Sequence, residues 1–456
     1  MPLQKNQVLT LRVERLSSDG SGVAHSPDGE TVFIPGAAPG DEARVRIVKD
    51  CKRYAFGILD EVLTPSPDRI PVDCAVAGPC GGCSLRHLDY AAELRAKQEN
   101  VADAFARIGG LDVPVLPIVG SPEVNRYRNK VQFPVGVDKS GKPCIGFYAG
   151  RTHRIVPCPD CRLQPGVLNE IGNALCAFFA EKGIQPYSEE TGRGLVRHIF
   201  LRRGAHSGQI MVCLVCTRAK LPSAEELCTR LKAQFAEITT ILLNVNAKNT
   251  NVILGTETHT LYGPGYIEDT LCGVPVQLGP LSFYQVNTLA AEQLYGIAAQ
   301  YAQLTPDDLL LDLYCGMGTI GLSMAAHCRE LIGVEIVPEA IESAKANAAR
   351  MGADVAAKSR FFCADAGQAA TRLAAEGLHP DIVMLDPPRK GCDEATLSAV
   401  VRMSPRRVVY VSCNPATAAR DAAWLEQNGY HAKKVQPVDL FPRTRHCECV
   451  LSLSKV

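Results

Sequence analysis

The sequence has no apolar run approaching the roughly 20 residues that span a bilayer. It also has no charged amino-terminal stretch followed by an apolar one, as an export signal requires. These two absences predict a soluble, cytoplasmic protein without a membrane partner. An excess of charge is missing too, because 48 basic residues balance 48 acidic ones. Net charge therefore gives no support for a nucleic-acid partner, and any basic surface must be local.

Internal repeats and low-complexity segments are also absent, and a length of 456 residues predicts about three domains. Residues 1–62 contain short alternating apolar runs between glycine and proline turns, which is the pattern of a small antiparallel barrel. Residues 63–275 begin with a proline-rich linker, include an amphipathic helix over 85–109 and continue as a mixed α+β domain. In residues 276–456, apolar strands alternate with Ala-rich helices, which predicts a Rossmann-like α/β sheet with helices on both faces.

A glycine turn follows a buried strand in "LLLDLYCGMGTIGLSMAA". Gly316 and Gly318 let the backbone approach a ligand closely, and the next helix offers its amino terminus to a nucleotide-like cofactor. Glu335 follows Gly316 by nineteen residues and closes the next strand, where a carboxylate can accept hydrogen bonds from both ribose hydroxyls. We favour S-adenosylmethionine (SAM) over NAD, because the third glycine of a dinucleotide loop is matched only by Gly321, inside the helix. The alternative is an ordinary glycine turn with a solvated Glu335.

Two further strands of this domain end in chemically useful residues. "PDIVMLDPPRKG" ends in Asp386 and two prolines, which stop the strand and stiffen a loop at the crevice where parallel sheets bind ligands. "RVVYVSCNP" brings Cys413 to the same crevice, and its thiolate is a nucleophile if the environment lowers the pKa of the thiol. An Asn-Pro-Pro motif would fit methylation of an exocyclic amine, whereas a carboxylate with a downstream cysteine fits another reaction. The competing interpretation is that Cys413 only packs in the core.

Nineteen cysteines are many for a reducing compartment, where they serve as thiols, metal ligands or catalytic groups rather than disulfides. "VDCAVAGPCGGC" holds Cys74, Cys80 and Cys83, and "VPCPDCRLQP" adds Cys158 and Cys161. A zinc ion could use the two Cys-x2-Cys pairs, and a [4Fe-4S] cluster could use the first three cysteines with one distal cysteine. Geometry alone favours zinc. Buried thiols without metal are the remaining interpretation.

Local basic segments could neutralise nucleic-acid phosphates despite the zero net charge. "TGRGLVRHIFLRRGAHSGQIMVCLVCTRAK" contains no acidic residue and holds these basic ones: Arg193, Arg197, Arg202, Arg203, Arg218 and Lys220. "NRYRNK" adds a second basic set: Arg126, Arg128 and Lys130. Tyr127, in the middle of that set, could stack on a base. The alternative for each segment is a solvated sheet face.

Four motifs occur in order: "DLYCGMGTIGL", "LDPPRKG", "VSCNPATAARD" and "DLFPRTRHCECV". Together they closely resemble the RNA uracil-5-methyltransferase family, in particular its 23S ribosomal-RNA branch, over essentially the whole chain. Residues 16–49 look like that family's TRAM domain, an OB-like RNA-binding barrel, which agrees with the barrel predicted from the strand pattern. The resemblance implies transfer of a methyl group from SAM to carbon 5 of a uridine in ribosomal RNA.

The resemblance also implies roles for single residues. Cys413 falls on the family's nucleophile, and Glu448 falls on its base. Four residues fall on SAM-contacting positions: Gln285, Tyr314, Glu335 and Asp386. The resemblance favours the iron–sulfur cluster over zinc, with Cys161 as the fourth ligand beside the first three cysteines. We expect ribosomal RNA as the partner and a monomer as the active form.

Uracil chemistry explains why such a set is needed. Carbon 5 of neutral uracil is a poor nucleophile, but addition of the Cys413 thiolate to carbon 6 gives an enolate that can attack the methylsulfonium. A base, Glu448, then removes the carbon 5 proton so that the cysteine can leave, and His446 either tunes this base or is a surface histidine. Asp386 would hydrogen-bond the uracil or the cofactor. Because a duplex hides both carbons, the target uridine should be single-stranded or flipped out.

Three alternative functions stay open at this point. Transfer RNA could be the substrate instead of ribosomal RNA. An amine-directed methyltransferase is possible, but it needs no thiol at Cys413 and leaves Glu448 without a role. The third alternative is an iron–sulfur RNA-binding protein without methylation activity.

Overall fold

The amino-terminal unit is a six-stranded sheet that follows the predicted alternation. The computed structural model describes residues 3–150 and 152–456, so the first two residues of the predicted barrel lie outside the described residues. The strands are β1 (Val8–Arg12), β2 (Arg15–Leu16), β3 (Ser21–His25), β4 (Thr31–Pro35), β5 (Glu42–Asp50) and β6 (Tyr54–Thr64), in the order β1-β5-β6-β4-β3-β2. In β5, Ala43, Val45 and Ile47 are fully buried. The period-two pattern therefore builds the core of this unit.

Helix α1 (Tyr90–Asp103) connects this sheet to the rest of the protein. The Asp89 carboxylate caps it by accepting a hydrogen bond from Ala92 N at 2.6 Å. The helix continues as a π-helical turn over Ala104–Gly109 and stops at Gly110, whose φ of 62° favours glycine. The helix predicted from residue 85 thus begins later, at the Asp89 cap.

The central part is a seven-stranded sheet with two helices. Its elements are β7 (Lys130–Val137), β8 (Pro143–Tyr148), β9 (Ile155–Pro157), α2 (Gly166–Glu181), β10 (Val196–Arg203), β11 (Ile210–Cys216), α3 (Ala224–Gln234), β12 (Ile238–Val245) and β13 (Glu257–Tyr262). The strand order is β13-β12-β11-β10-β7-β8-β9. All seven residues of β11 are buried, so this strand lies at the centre of the unit and both faces of it are covered.

The carboxyl-terminal part begins with the hairpin β14 (Ile267–Leu271) and β15 (Val274–Leu278), followed by α4 (Thr288–Ala302). Its main sheet and helices are β16 (Leu309–Leu313), α5 (Thr319–Met324), β17 (Glu330–Glu335), α6 (Pro338–Met351), α7 (Ala353–Lys358), β18 (Ser359–Cys363), α8 (Ala366–Ala375), β19 (Ile382–Leu385), α9 (Glu394–Met403), β20 (Arg407–Ser412), α10 (Pro415–Gln427), β21 (Tyr430–Val438) and β22 (Glu448–Lys455). The order is β18-β17-β16-β19-β20-β22-β21; the first five strands are parallel to one another, and β22 is antiparallel to both of its neighbours, β20 and β21.

The strand order reverses at β16, which pairs with β17 on one side and β19 on the other. A doubly wound sheet opens a ligand crevice at the carboxyl ends of the strands at such a point. The predicted α/β sheet is therefore present, and its crevice lies where the glycine turn follows β16. Within the described residues, no helix combines the length and apolar character needed to cross a membrane.

Candidate active site

The crevice is a cavity of about 1340 Å³ at the carboxyl ends of β16, β17, β19 and β20. Residues predicted for the cofactor and for catalysis line it: Gln285, Tyr314, Gly316, Glu335, Asp386, Cys413 and Glu448. Gly318 forms the N-cap of α5 behind the same turn, with a φ of 80°. Residues that are far apart in the sequence thus meet in one site.

The glycine turn and Glu335 form one half of the cavity. Gly316 has a φ of 56°, in the left-handed region that glycine adopts without strain. Its N–H donates to Glu335 Oε2 at 3.2 Å, and Val337 N–H donates to Oε1 at 2.9 Å. These bonds fix the carboxylate at the end of β17, and each oxygen keeps a free lone pair for a hydroxyl donor.

Asp312 lies beneath this turn and was missed by sequence reasoning. It is only 1% exposed, and its Oδ2 accepts a hydrogen bond from Gly321 N at 3.0 Å. Burial raises the pKa of Asp312 to about 8. The carboxyl group ties β16 to α5, so it shapes the turn from below. An acidic residue inside the apolar run "LLLDL" was the available signal, because a buried acid needs a partner.

The other half of the cavity holds three acidic groups. Burial raises the pKa of Asp386 to about 7. Burial also raises the pKa of Glu448 to about 8, with the Asp386 charge adding to the effect and Arg389 opposing it. Burial, followed by the charges of Glu448 and Asp386, raises the pKa of the Cys413 thiol to about 11. The thiol is therefore protonated at neutral pH, and Glu448 and Asp386 are the carboxyl groups whose charges act on its pKa.

Strand pairing explains why Cys413 and Glu448 are neighbours. Strands β20 and β22 are antiparallel, and Ser412 lies opposite Cys449. One step past the end of β20 and one step back along β22 are Cys413 and Glu448. Residues opposite each other in an antiparallel pair project from the same face. The half-buried His446 also lines the cavity, and burial lowers its pKa to about 4. It is a neutral imidazole at pH 7 and not a surface histidine.

A second cavity, of about 770 Å³, reaches Cys413 from the side of the amino-terminal sheet. It is bounded by Arg15 and Asp19 of that sheet unit, by α1 and by the turn after β20. Arg389, Cys413 and His446 line both cavities. The thiol is therefore accessible from two sides.

Two predictions about nucleic-acid contacts are wrong. Arg202 is 2% exposed, and its guanidinium donates to Gly279 O at 2.8 Å and Ser282 O at 2.7 Å. Tyr127, predicted to stack on a base, is buried and donates its hydroxyl to Pro442 O at 2.9 Å. Each side chain holds a loop inside the protein, so neither is free to contact RNA.

Arg197 is a third case, because it is also buried and donates to Asn246 O and Lys248 O at 3.0 and 2.6 Å. Of the six basic residues of this segment, Arg197, Arg202 and Arg203 lie on β10, and the first two are buried. Buried cations of this kind satisfy loop carbonyls. The basic segment of β10 is therefore not one continuous phosphate-binding surface.

The loop clamped by Arg202 leads directly into the cavity. Gly279–Ser282 precedes Gln285, and Asn129 Nδ2 donates to Gln285 O at 2.8 Å and to Thr288 Oγ1 at 2.9 Å. Arg202 and Asn129 thus fix the segment that places Gln285 at the cavity wall. Sequence reasoning missed Asn129, since a single amide in a basic segment carries no distinctive pattern.

The predicted metal ligands lie near one another. After burial, the charges of Cys83, Cys161 and Cys74 raise the pKa of Cys80. A hydrogen bond from Cys158 lowers the pKa of Cys161 to about 6, although burial acts in the opposite direction. Among residues 3–150 and 152–456, however, no group of three or more histidine, cysteine or acidic side chains forms a site that could hold a metal ion. Metal ligation here stays a prediction.

The chain is similar to known proteins over nearly its full length. Residues 206–456 match the family described as tRNA (Uracil-5-)-methyltransferase, and residues 2–59 match the TRAM domain. An uncharacterized RNA methyltransferase of Halalkalibacterium halodurans is 43% identical over 99% of this chain and 98% of its own length. A protein of the same description from Oceanobacillus iheyensis is 41% identical, with the same coverage.

A solved structure is similar over nearly the whole chain. It is the crystal structure of Pyrococcus abyssi tRNA (uracil-54, C5)-methyltransferase in complex with S-adenosyl-L-homocysteine, with a TM-score of 0.77 and 26% identity. The similarity covers 98% of this chain and 100% of that one. It confirms the predicted fold class, a Rossmann-like SAM-dependent methyltransferase with an amino-terminal TRAM unit. The chain belongs to the RNA (uracil-5-)-methyltransferase family and is a SAM-dependent RNA methyltransferase.

Proposed function

We propose that this protein methylates carbon 5 of a uridine in 23S ribosomal RNA through a covalent adduct between Cys413 and carbon 6. The observation that carries the proposal is that Cys413, directly after β20, and Glu448, the first residue of the paired strand β22, face one cavity that Glu335 and Gly316 also line. The reaction needs a nucleophile and a base beside the uracil. SAM needs a group that accepts hydrogen bonds from its ribose hydroxyls. Gln285, Tyr314, Asp386 and the glycine turn complete the proposed SAM site.

The proposed reaction conserves atoms and charge at each step. The Cys413 proton passes to solvent water, so that Glu448 takes up no proton at this stage, and the thiolate forms a bond to carbon 6 while carbon 5 becomes nucleophilic. Carbon 5 takes the methyl group, and the carbon–sulfur bond of SAM breaks to give S-adenosylhomocysteine. Glu448 then accepts the carbon 5 proton, the bond from carbon 6 to sulfur breaks, and the Cys413 thiolate is restored.

Transfer RNA is the second candidate substrate, because the similar solved structure is a tRNA methyltransferase. The test is to incubate the purified protein and methyl-labelled SAM with 23S ribosomal RNA or with transfer RNA, and to map the labelled nucleosides. We expect 5-methyluridine in the ribosomal RNA and much less label in the transfer RNA. Label confined to transfer RNA would reverse the assignment, and label on an amine would contradict carbon 5 chemistry.

We further propose a [4Fe-4S] cluster held by Cys74, Cys80, Cys83 and Cys161. The pKa effects among these thiols support their closeness. Buried donors on two nearby arginines, Arg86 Nε and Nη2 and Arg128 Nε, have no hydrogen-bond partner in the described part of the chain. Both arginines act on the pKa of Cys161. A cluster with four thiolate ligands is anionic, so its sulfur atoms fit these donors; four zinc-bound thiolates would fit them too.

The cluster is tested by purifying the protein without air. We expect a brown protein that contains iron and sulfide, and we expect Cys83→Ser to lose both together with the colour. Cys51→Ser is the matched control, since Cys51 is a half-buried cysteine of the amino-terminal sheet and should leave the iron content unchanged. A colourless protein with stoichiometric zinc would replace the cluster by a zinc site.

We also propose that the chain is organised into three units, at residues 1–62, 63–275 and 276–456. The protein acts as a monomer in the cytoplasm. The three main sheets support this division. The first sheet ends at Thr64, the second begins at Lys130, and the third begins at Leu309. The short hairpin over 267–278 lies across the proposed boundary at 275, and it packs with α4 in the carboxyl-terminal core.

A further inference from the structure

A buried network of charges joins α1 to the segment just before Glu448. Lys97 is 1% exposed, and its Nζ donates to Glu93 Oε1 at 2.7 Å, to Asp439 Oδ1 at 2.8 Å and to Phe441 O at 3.2 Å. Glu93 and Asp439 are fully buried. Tyr90 donates its hydroxyl to Asp439 Oδ2 at 2.9 Å. One lysine of α1 therefore bonds two points of the segment 439–447.

The same helix region holds this segment at a third point, Arg443. Its N–H donates to Glu93 Oε1 at 2.7 Å, and its Nη1 donates to Leu88 O at 2.8 Å. Arg443 O accepts hydrogen bonds from the N–H groups of Ser84 and Leu85, both at 3.1 Å. The segment is thus fixed along its length by residues 84–97, which are far from it in the sequence.

Stability alone does not account for so many buried charges. Desolvation of ions is costly, and replacing a buried ion pair by well-packed neutral side chains is often neutral or stabilising. Directional contacts do offer a defined position, as bonds from one ammonium to several oxygens fix where those oxygens lie. Here the fixed segment contains His446 and is followed directly by Glu448, and both residues line the cavity at Cys413.

We propose that Lys97 is a positioning residue that holds the segment 439–447 so that Glu448 faces the reacting uracil. This inference deepens the proposed function and rests on it. Lys97 itself lines the second cavity, but its three hydrogen bonds are all to the protein. It acts on the reaction through Glu448, in the step that removes the carbon 5 proton.

The first test needs no RNA and follows alkylation of Cys413 by iodoacetamide as a function of pH, read on the Cys413 peptide by mass spectrometry. The nearby Glu448 charge helps to raise the pKa of the Cys413 thiol. In Lys97→Met we expect Glu448 to move away, so that this pKa falls by about one unit and the thiolate becomes about tenfold more abundant at a given pH. Loss of the lysine charge alone would act in the opposite direction.

The second test compares formation and release of the covalent RNA adduct in single turnovers. We expect Lys97→Met to slow release by about tenfold or more, because a displaced general base loses much of its contribution, while adduct formation changes little. Arg95→Met is the matched control on the same helix, since Arg95 is exposed and forms its ion pair with Asp68, at 2.7 Å, outside the network of Lys97. It should behave like the wild type in both tests.

A variant that removes Lys97 together with both of its carboxylate partners guards against loss of folding. The triple change Glu93→Gln, Lys97→Met and Asp439→Asn leaves Arg443 its hydrogen bond to Leu88 O, and removal of a whole ion pair is better tolerated than loss of one partner. Slow release in this folded variant supports the inference. Wild-type release in it, or equal slowing of formation and release, overturns the inference. Absence of any adduct with the wild-type protein would instead contradict the proposed function, and the alkylation test would still decide the role of Lys97.

Discussion

Glu448→Gln is expected to leave methylated RNA covalently attached to Cys413. Glutamine keeps the size of the side chain but cannot take up the carbon 5 proton, so the sulfur cannot be eliminated. Addition and methyl transfer do not need this proton acceptor. Release should slow by the roughly 10²–10⁴-fold that a general base contributes. A denaturing gel should show a SAM-dependent protein–RNA band that accumulates with time.

The double variant with Cys413→Ala should show no such band, and Cys413→Ala alone should lose turnover. Retained turnover in Cys413→Ala would end the covalent mechanism. Normal release by Glu448→Gln would leave that mechanism intact and transfer the role of the base to His446 or a water molecule.

The pH dependence of release gives an independent check on the same residue. Burial raises the pKa of Glu448 to about 8. At pH 7 the Glu448 carboxyl group is therefore protonated in most molecules and cannot accept another proton. Release by the wild-type protein should therefore rise by about tenfold between pH 7 and pH 9. Glu448→Gln should lose this rise.

Arg202→Met is expected to weaken SAM binding and to lower the stability of the protein. The change leaves the part-buried carbonyl oxygens of Gly279 and Ser282 without their donor, and a polar group left unsatisfied in a fully buried place costs about 1–3 kcal/mol, which is the upper limit for each. The released turn precedes Gln285, which lines the cavity and belongs to the proposed SAM site. Calorimetric titration with SAM and thermal unfolding measure the two effects.

Arg203→Met is the matched control, because Arg203 is the next residue of the strand and is partly exposed. Arg202→Lys should rescue little, since an ammonium does not reproduce the planar fork of donors of a guanidinium. The salt dependence of RNA binding should be the same for Arg202→Met and the wild type. If Arg202→Met reduced the salt dependence of RNA binding and left the affinity for SAM unchanged, Arg202 would not hold the turn as inferred. It would then contact an RNA phosphate, as first predicted.

The sequence was informative wherever a functional residue sits at the end of its own strand. Gly316, Glu335, Asp386 and Cys413 each follow an apolar run, and parallel strands bring their carboxyl ends to one edge. Local pattern and position in the fold agree for these residues. The resemblance added Glu448, which begins an antiparallel strand and carries no such local signal.

Side chains that act across units could not be predicted in this way. Arg202 and Lys97 are basic residues that the packing of distant segments buries. Arg202 faces a turn that lies almost 80 positions further along the chain, and Lys97 bonds Asp439, more than 300 positions away. The residue type shows that a side chain is charged. The segment that packs over it in the fold determines whether the charged group contacts solvent or carbonyl oxygens.

The pairing of β20 with β22 makes the length of the segment 439–447 as critical as the identity of Glu448. Side chains alternate between the two faces of a strand, so a shift of one residue turns every side chain to the opposite face. Glu448 stands between Cys447 and Cys449, and burial raises the pKa of both thiols. A deletion or insertion of one residue before β22 would therefore put an inert thiol opposite Cys413 in place of the carboxylate. Insertions that leave this register unchanged, such as in the loop before β21, carry no such penalty.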